Sequence, residues 1–193
     1  MKRIFFITSN VGKFKEVVDI FKKNLPDVIL EMYPAEKLEI QSSELEKIAL
    51  FSARYIREKE KIDNFFVEDA GLFINALKGF PGPYSSYVYK TIGVDGILKL
   101  MKNVKDRRAF FRAVIAFCWK GDIYLFTGVV HGRIAEEARG TQGFGFDPIF
   151  IPNGDNRTFA EMTIEEKNKL SHRGKAIRKL INFLKLIWGM NFR

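Results

Sequence analysis

Cysteine and histidine are scarce in this 193-residue chain, which contains one cysteine, Cys118, and two histidines, His131 and His172. One cysteine cannot form a disulfide within the chain, and these residues cannot build a cysteine-based zinc site or a multi-histidine metal cluster. Cys118 lies inside an apolar run, which predicts a buried thiol and a reducing compartment.

Long hydrophobic runs and linkers are also missing. The longest apolar run covers residues 113–119, far short of the roughly 18 residues of a membrane span. The apolar run Ile4–Ile7 is too short for the core of a signal peptide. The six prolines and 15 glycines form no linker or repeat. We therefore expect one domain over residues 1–193, no membrane segment and a cytoplasmic location.

Positive charge and phenylalanine are abundant. The 32 Lys and Arg residues outnumber the 23 Asp and Glu residues, which gives a formal net charge of +9. Such a charge attracts polyanions but does not distinguish nucleic acid, membrane and free nucleotide. Hydrophobic residues make up 47% of the chain, with 19 phenylalanines, which excludes a disordered chain and predicts a large core.

The hydrophobic pattern predicts an α/β fold. Strand patterns occupy residues 3–7, 28–32 and 65–67, and two longer strand patterns, 107–119 and 122–130, indicate a hairpin at Lys120 and Gly121. Helical spacing appears over 14–21, after the capping-box pairs Ser43/Glu46 and Thr163/Glu166, and over 177–187. This order favours a mixed sheet flanked by helices, with loops meeting at a cleft.

The first strand and helix are joined by Thr8-Ser9-Asn10-Val11-Gly12-Lys13. Free N–H groups and the positive end of the helix dipole favour an anion at such a junction, and Lys13 adds a formal charge. The segment lacks the glycine spacing of a Walker loop, because Ile7 occupies the position of the first glycine. Phosphate binding and an ordinary helix cap are about equally favoured.

Adjacent carboxylates, Glu68 and Asp69, follow the apolar residues 65–67. One or two carboxylates together with substrate phosphates suit Mg²⁺, but loop carboxylates paired with surface cations are the more frequent case. Glu39 is in the same position, and a solvated surface location is again the more frequent one.

Aromatic faces and an acceptor carboxylate combine in Phe144-Gly145-Phe146-Asp147-Pro148, which suits stacking on and hydrogen bonding to a heterocyclic base. A core-capping turn explains the same residues equally well. Lys167, His172 and Arg173 flank the start of the last helix, and isolated residues of these types are most often surface cations.

Five segments in this order resemble the inosine triphosphate pyrophosphatase family, also called the HAM1-like family, over nearly the whole chain. The archaeal branch is the most similar. The segments are Thr8-x-Asn10-x-x-Lys13-x-x-Glu16, Val67-Glu68-Asp69-Ala70-Gly71-Leu72, Gly79-Phe80-Pro81-Gly82-Pro83-Tyr84, Gly143-Phe144-Gly145-Phe146-Asp147-Pro148-Ile149-Phe150 and Lys167-x-x-x-Ser171-His172-Arg173.

This resemblance implies hydrolysis of the non-standard purine nucleotides ITP, dITP and XTP to the monophosphate and pyrophosphate. It also implies Mg²⁺, with Mn²⁺ as a substitute, and a homodimer of elongated α/β protomers with two lobes and a central cleft. It implies no specific nucleic-acid partner.

The resemblance also assigns roles to individual residues. Asp69 would be the general base and, with Glu39 and the neighbouring Glu68, a metal ligand. The segment from Thr8 to Lys13, comprising Thr8, Ser9, Asn10, Val11, Gly12 and Lys13, would hold the triphosphate. The nucleoside and base would contact Phe144, Gly145, Phe146, Asp147, Lys167, His172 and Arg173.

Two positions depart from the family pattern. Ala70 stands where relatives often have a hydroxyl residue, so a backbone contact alone is implied there. Ser52 replaces a lysine that lies near the phosphates in many relatives, so one phosphate-binding cation is expected to be missing or supplied from elsewhere.

Two alternative functions remain. A Maf-like pyrophosphatase acting on pyrimidine or modified nucleotides would share the cleft and the chemistry. A basic nucleic-acid-binding module is compatible with the net charge and the aromatic content, although no RRM, KH or helix-turn-helix pattern is present.

Overall fold

A computed structural model describes residues 2–189 as a mixed sheet with helices on both faces. Met1 and residues 190–193 lie outside the described residues, so the two ends of the predicted domain are not described. Residues 2–189 form seven strands, β1 (Lys2–Ile7), β2 (Val28–Tyr33), β3 (Phe65–Ile74), β4 (Pro81–Gly82), β5 (Arg108–Trp119), β6 (Asp122–Ile134) and β7 (Phe150–Pro152). The same residues form six α-helices, α1 (Val11–Asn24), α2 (Leu45–Glu60), α3 (Ser85–Thr91), α4 (Gly93–Leu100), α5 (Ile164–Leu170) and α6 (His172–Ile187).

The strands are ordered β2-β1-β3-β5-β6-β7, with β4 paired to β3. β1 runs parallel to β2 and β3, whereas β3, β5, β6 and β7 pair antiparallel. The predicted α/β class, the mixed sheet and the β5–β6 hairpin are therefore confirmed. In addition, none of the helices within residues 2–189 combines the length and apolar character needed to cross a membrane.

Both faces of the sheet are covered. On one face, α1 and α6 pack against Phe6, Phe66 and Phe117. On the other face, α2 packs against Val67 and Val114. A third cluster of buried residues fills the far end of the long strands, and it includes Leu72, Phe111, Phe150 and Phe159. Neighbouring residues of a central strand therefore face different helices, because side chains alternate along a strand.

Two local predictions differ from the structure. Strand β3 does not end at residue 67 but continues to Ile74, because β5 pairs with it along its whole length, from Phe65 opposite Cys118 to Ile74 opposite Ala109. The capping box of Ser43 and Glu46 is wrong, since α2 begins after Glu44 without a side-chain cap, and Glu46 pairs instead with Arg112 of β5. The capping box of Thr163 and Glu166 is confirmed.

Candidate active site

The junction of β1 and α1 lies beside the middle of β3. Phe6 pairs with Phe66, and β1 ends at Ile7, so Thr8 emerges at the level of Glu68. Ligand sites in sheets with parallel strands form at the carboxyl ends of those strands, where loops leave the sheet. The sheet register therefore brings together the two segments that the sequence marked as a phosphate loop and a carboxylate pair.

The start of α1 is organised by its own side chains. Asn10 caps the helix, and its Oδ1 accepts a hydrogen bond from the Lys13 N–H at 2.9 Å. The Thr8 hydroxyl accepts one from the Asn10 N–H at 3.0 Å. The N–H groups of Val11 and Gly12 belong to the first turn, which has no intrahelical partners for them. Ser9 and Val11 are exposed, so this anion-favouring end of the helix opens to solvent.

The loop that carries Phe144 packs directly against this helix start. A Cβ atom on Gly12 would lie 2.6 Å from the Phe144 ring, so a glycine is required for the ring to approach. The Lys167 ammonium lies 4.8 Å from the centre of the same ring. The segment predicted to bind phosphate therefore contacts the segment predicted to bind the base, although the two are more than 100 residues apart in the chain.

Glu68 and Asp69 point to opposite faces of β3. Glu68 faces α1 and α6, where the Arg173 Nε–H contacts both of its carboxylate oxygens, at 2.9 and 3.1 Å. The Lys13 ammonium lies 3.4 Å from the same carboxylate. Burial acts to raise the pKa of Glu68, but the charges of Arg173 and Lys13 lower this pKa to about 2. Glu68 is therefore a buried, permanently ionised carboxylate at neutral pH.

Asp69, on the side of α2, has a different environment. It is 8% exposed, and its Oδ1 accepts a hydrogen bond from the N–H of Ala70 at 3.1 Å. Burial raises the pKa of Asp69 to about 6, although the positive charges of Lys37 and Lys13 act in the opposite direction. A carboxylate with a pKa close to neutrality is suited to accept and release a proton.

A buried ion network extends from β3 to α5. Glu16 of α1 lies at its centre and accepts hydrogen bonds from Lys167 Nζ at 2.6 Å and from Arg173 at 2.5 Å. Lys167 also donates to Asp147 at 2.5 Å. The network balances three acidic with three basic side chains, namely Glu16, Glu68, Asp147, Lys13, Lys167 and Arg173.

This network corrects the expectation that Lys167 and Arg173 are surface cations. Their side chains are 3% and 2% exposed. Burial acts to raise the pKa of Glu16, but the charges of Arg173 and Lys167 lower it. The positive groups therefore hold the chain segments of the site in place, and their own charges are already neutralised by carboxylates.

The predicted base site lies next to this network. Asp147 accepts a hydrogen bond from the Phe144 N–H at 2.8 Å, which closes the 144–147 turn. Gly143 has a φ of +74°, and a Cβ atom at this position would collide with the Asp147 carboxylate. The turn therefore requires a glycine at position 143. Gly145 is half-buried with open space beside its Cα, and Phe146 is buried against Tyr89.

His172 is buried and stacks on Phe111, with ring centres 4.7 Å apart. Burial and the charges of Arg173 and Lys167 lower its pKa well below the ordinary value, so the imidazole is neutral at physiological pH. Its Nδ1 has no hydrogen-bond partner. A buried ring nitrogen without a partner is available for a hydrogen bond to a ligand.

The predicted metal ligands are not grouped as a metal centre. Within residues 2–189, no three His, Cys, Asp or Glu side chains lie close enough together to hold a metal ion. Both oxygens of Glu68 contact Arg173. Glu39 is exposed, and its Oε1 lies 2.6 Å from the Lys37 ammonium. The roles of Glu39, Glu68 and Asp69 as metal ligands stay predictions.

Sequence reasoning assigned no role to two residues that contact this site. Glu16 follows Lys13 by three positions, and this helical spacing places both side chains on one face of α1. Lys37 precedes Glu39 by two positions, the spacing that places side chains on one side of an extended segment. Both spacings were visible in the sequence, but no local pattern indicated that these residues lie near β3.

The fold and the site define a mixed α/β protein whose cationic helix start faces a buried carboxylate. The family model described as the Ham1 family matches residues 4–183, and the chain belongs to this family.

Two sequence relatives and one solved structure illustrate the match. The dITP/XTP pyrophosphatase of Pyrococcus horikoshii is 53% identical, over 95% of this chain and 97% of the relative. The dITP/XTP pyrophosphatase of Thermococcus kodakarensis is 52% identical, over 95% of this chain and 97% of the relative. The structure of the Staphylococcus aureus Ham1 protein has a TM-score of 0.81 and 31% identity, and the match covers 95% of this chain and 98% of that one. The resemblance inferred from the five segments is confirmed.

Proposed function

We propose that this protein is a nucleoside triphosphate pyrophosphatase that hydrolyses ITP, dITP and XTP to the monophosphate and pyrophosphate. Its relatives in Pyrococcus and Thermococcus carry the name dITP/XTP pyrophosphatase and match the chain over nearly its full length. The observation that carries the proposal is the position of the buried Asp69, next to Glu68, whose carboxylate lies 3.4 Å from the ammonium of Lys13 at the open start of α1.

The reaction needs a positive environment for the phosphates and a proton acceptor for water. Lys13 and the free N–H groups at the start of α1 bind the phosphate oxygens and offset part of the roughly four negative charges of the triphosphate. Water attacks the α-phosphorus while Asp69 accepts a proton from it. The bond from the α-phosphorus to its bridging oxygen breaks, and pyrophosphate leaves with the bonding electron pair.

Magnesium is part of the proposal, with Mn²⁺ as a substitute. Asp69 and Glu39 are carboxylates whose charges act on each other, and hard divalent cations bind one or two carboxylates together with substrate phosphates. The two residues would hold the ion in that manner. When bound, it would neutralise phosphate charge and polarise the attacking water.

Selection of the base would depend on hydrogen bonds beside Phe144. Hypoxanthine and xanthine present an acceptor at O6 and a donor at N1, whereas adenine presents the reverse pattern. The unpartnered Nδ1 of the buried His172 and the backbone of the 144–147 turn are groups that could pair with such a base. Arg173, which we expected to contact the base, is engaged by Glu16 and Glu68.

A parallel assay of pyrophosphate release tests the function. With Mg²⁺, we expect kcat/KM for ITP and XTP to exceed the value for ATP by about 10⁴-fold, because a mismatched base leaves buried polar groups unpaired. Preferred cleavage of dUTP or dTTP would establish the Maf-like alternative. Salt-dependent binding of DNA or RNA without pyrophosphate release would establish the nucleic-acid-binding module.

We further propose a homodimer that acts in the cytoplasm. The exposed aromatic side chains of α3, Tyr87 and Tyr89, together with the neighbouring Tyr84, form the surface for which we suggest this contact. Sedimentation of the wild-type protein and of Tyr87→Ser checks this, and a monomeric wild type at micromolar concentration contradicts it.

A further inference from the structure

Lys37 lies at the edge of the site, in the segment between β2 and α2. Its ammonium is 2.6 Å from Glu39 Oε1 and donates a hydrogen bond to the backbone oxygen of Glu68 at 3.2 Å. The Lys37 ammonium therefore joins this segment to β3 at Glu68, the residue that precedes Asp69.

The position of Lys37 is held by a contact from α2. The Ser52 hydroxyl, which is fully buried, donates a hydrogen bond to the backbone oxygen of Leu38 at 2.8 Å. Leu38 separates Lys37 from Glu39, so this bond anchors the backbone between the two charged residues. Ser52, where the family pattern led us to expect a lysine, thus supports a lysine on a different segment.

Lys37 differs from the buried cations in its solvent access. The side chains of Lys167 and Arg173 are 3% and 2% exposed, and buried carboxylates engage both of them. The side chains of Lys13 and Lys37 are each 20% exposed. The carboxylate that pairs with Lys37 belongs to Glu39, which is itself half exposed. Solvent around the exposed Glu39 carboxylate weakens this pair, so a more strongly charged anion can displace it.

The charge of Lys37 also reaches the other groups of the site. It acts on Asp69, Glu68 and Lys13. A phosphate tail bound at Lys13 and beside Asp69 would therefore lie within the field of Lys37. A polyphosphate carries several negative charges, so it competes strongly with the single charge of Glu39 for this ammonium.

We propose that Lys37 is a second phosphate-binding cation, which exchanges its contact with Glu39 for the polyphosphate tail of the nucleotide. This inference rests on the proposed function and adds a substrate-binding residue to it. It also identifies the group that supplies the charge absent at Ser52. The exchange releases the Glu39 carboxylate at the moment the phosphates arrive.

The test compares Lys37→Gln with Lys37→Arg and with the control Lys47→Gln, which removes an exposed lysine from the first turn of α2. Calorimetry measures the Kd for inorganic tripolyphosphate without added divalent ion, and a kinetic assay measures KM and kcat for ITP with Mg²⁺. We expect Lys37→Gln to raise the Kd and the KM about 10- to 100-fold, the effect of one lost charge-assisted hydrogen bond. Lys37→Arg should retain most of the affinity, and Lys47→Gln should match the wild type.

The same measurement in the Glu39→Gln protein separates direct phosphate binding by Lys37 from an effect of Lys37 that acts through Glu39. If Lys37 binds phosphate, Lys37→Gln weakens tripolyphosphate binding in the Glu39→Gln protein as well. An unchanged Kd in that background, or an unchanged Kd in the single variant, overturns the inference. Failure of the proposed function has a different signature, since the wild type would then release no pyrophosphate from ITP, whatever the tripolyphosphate affinities.

Discussion

Asp69→Asn is expected to abolish pyrophosphate release and, at the same time, to stabilise the folded protein at pH 8. Asparagine retains an oxygen that can accept the Ala70 N–H bond but cannot accept a proton from water. We expect kcat to fall about 10³-fold or more, the typical effect of removing a positioned general base. The measurement is steady-state release of pyrophosphate from ITP.

The stability effect follows from the direction of the pKa shift. The pKa of Asp69 in the folded protein, about 6, lies above its ordinary value of 3.8, so the folded state binds the proton more tightly than the unfolded state does. Below pH 3.8 the group costs no stability. The cost grows as the pH rises towards 6 and is complete above it, at about 3 kcal/mol.

Guanidinium unfolding with a chelator present measures this effect. Asp69→Asn should be about 2 to 3 kcal/mol more stable than the wild type at pH 8 and equal to it near pH 4. The control Asp27→Asn, at an exposed turn residue, should change neither stability nor turnover. Near-normal kcat in Asp69→Asn would remove this residue from the mechanism, and lower stability at pH 8 would show that its charge is well accommodated.

Glu16→Gln should lower the free energy of unfolding by about 3 to 5 kcal/mol, because it leaves Lys167 and Arg173 buried with one carboxylate fewer. Burial acts to raise the pKa of Glu16, but Arg173 and Lys167 together lower it below its ordinary value of 4.5. Its contribution is therefore fully present above pH 4.5 and is lost as the pH falls through the lowered pKa. The variant should accordingly differ most from the wild type near neutral pH.

Glu31→Gln provides the matched control, since Glu31 pairs with Arg3 at 3.1 Å but both side chains are well exposed. Exposed pairs contribute about 0 to 1 kcal/mol, so this variant should unfold close to the wild type. Equal losses of unfolding free energy in the two variants would mean that the buried Glu16 ion pairs stabilise the protein no more than an exposed pair does. Thermal and guanidinium unfolding at pH 7 measure both variants.

The long antiparallel hairpin shows what local patterns predict well. Two β-rich runs separated only by Lys120 and Gly121 have few possible arrangements other than a hairpin. Both turn residues adopt the positive φ that such a turn requires. The start of α1 was predicted only approximately, since residues 8–13 were expected to connect β1 to the helix, whereas Asn10 caps the helix and α1 begins at Val11.

The length of β3 shows where local patterns fail. Residues 65–67 are apolar, but Glu68, Asp69 and Gly71 do not favour a strand, and pairing with β5 overrides their local preference. This extension changes the interpretation of the site. Two carboxylates that looked like neighbours in a loop lie on opposite faces of a sheet, one paired with Arg173 and the other close to Lys37.

By itself, the sequence determined the fold class, the family, and the segments from which the site is built, because capping, hairpin turns and motif order depend on residues close together in the chain. Only the tertiary structure decided which charges meet. Glu16 contacts residues more than 150 positions away, and the protonation of Asp69 depends on burial that no local pattern encodes. Electrostatic free energies are set by distance and solvent access in three dimensions, so the division between permanently ionised and proton-accepting carboxylates arose with folding.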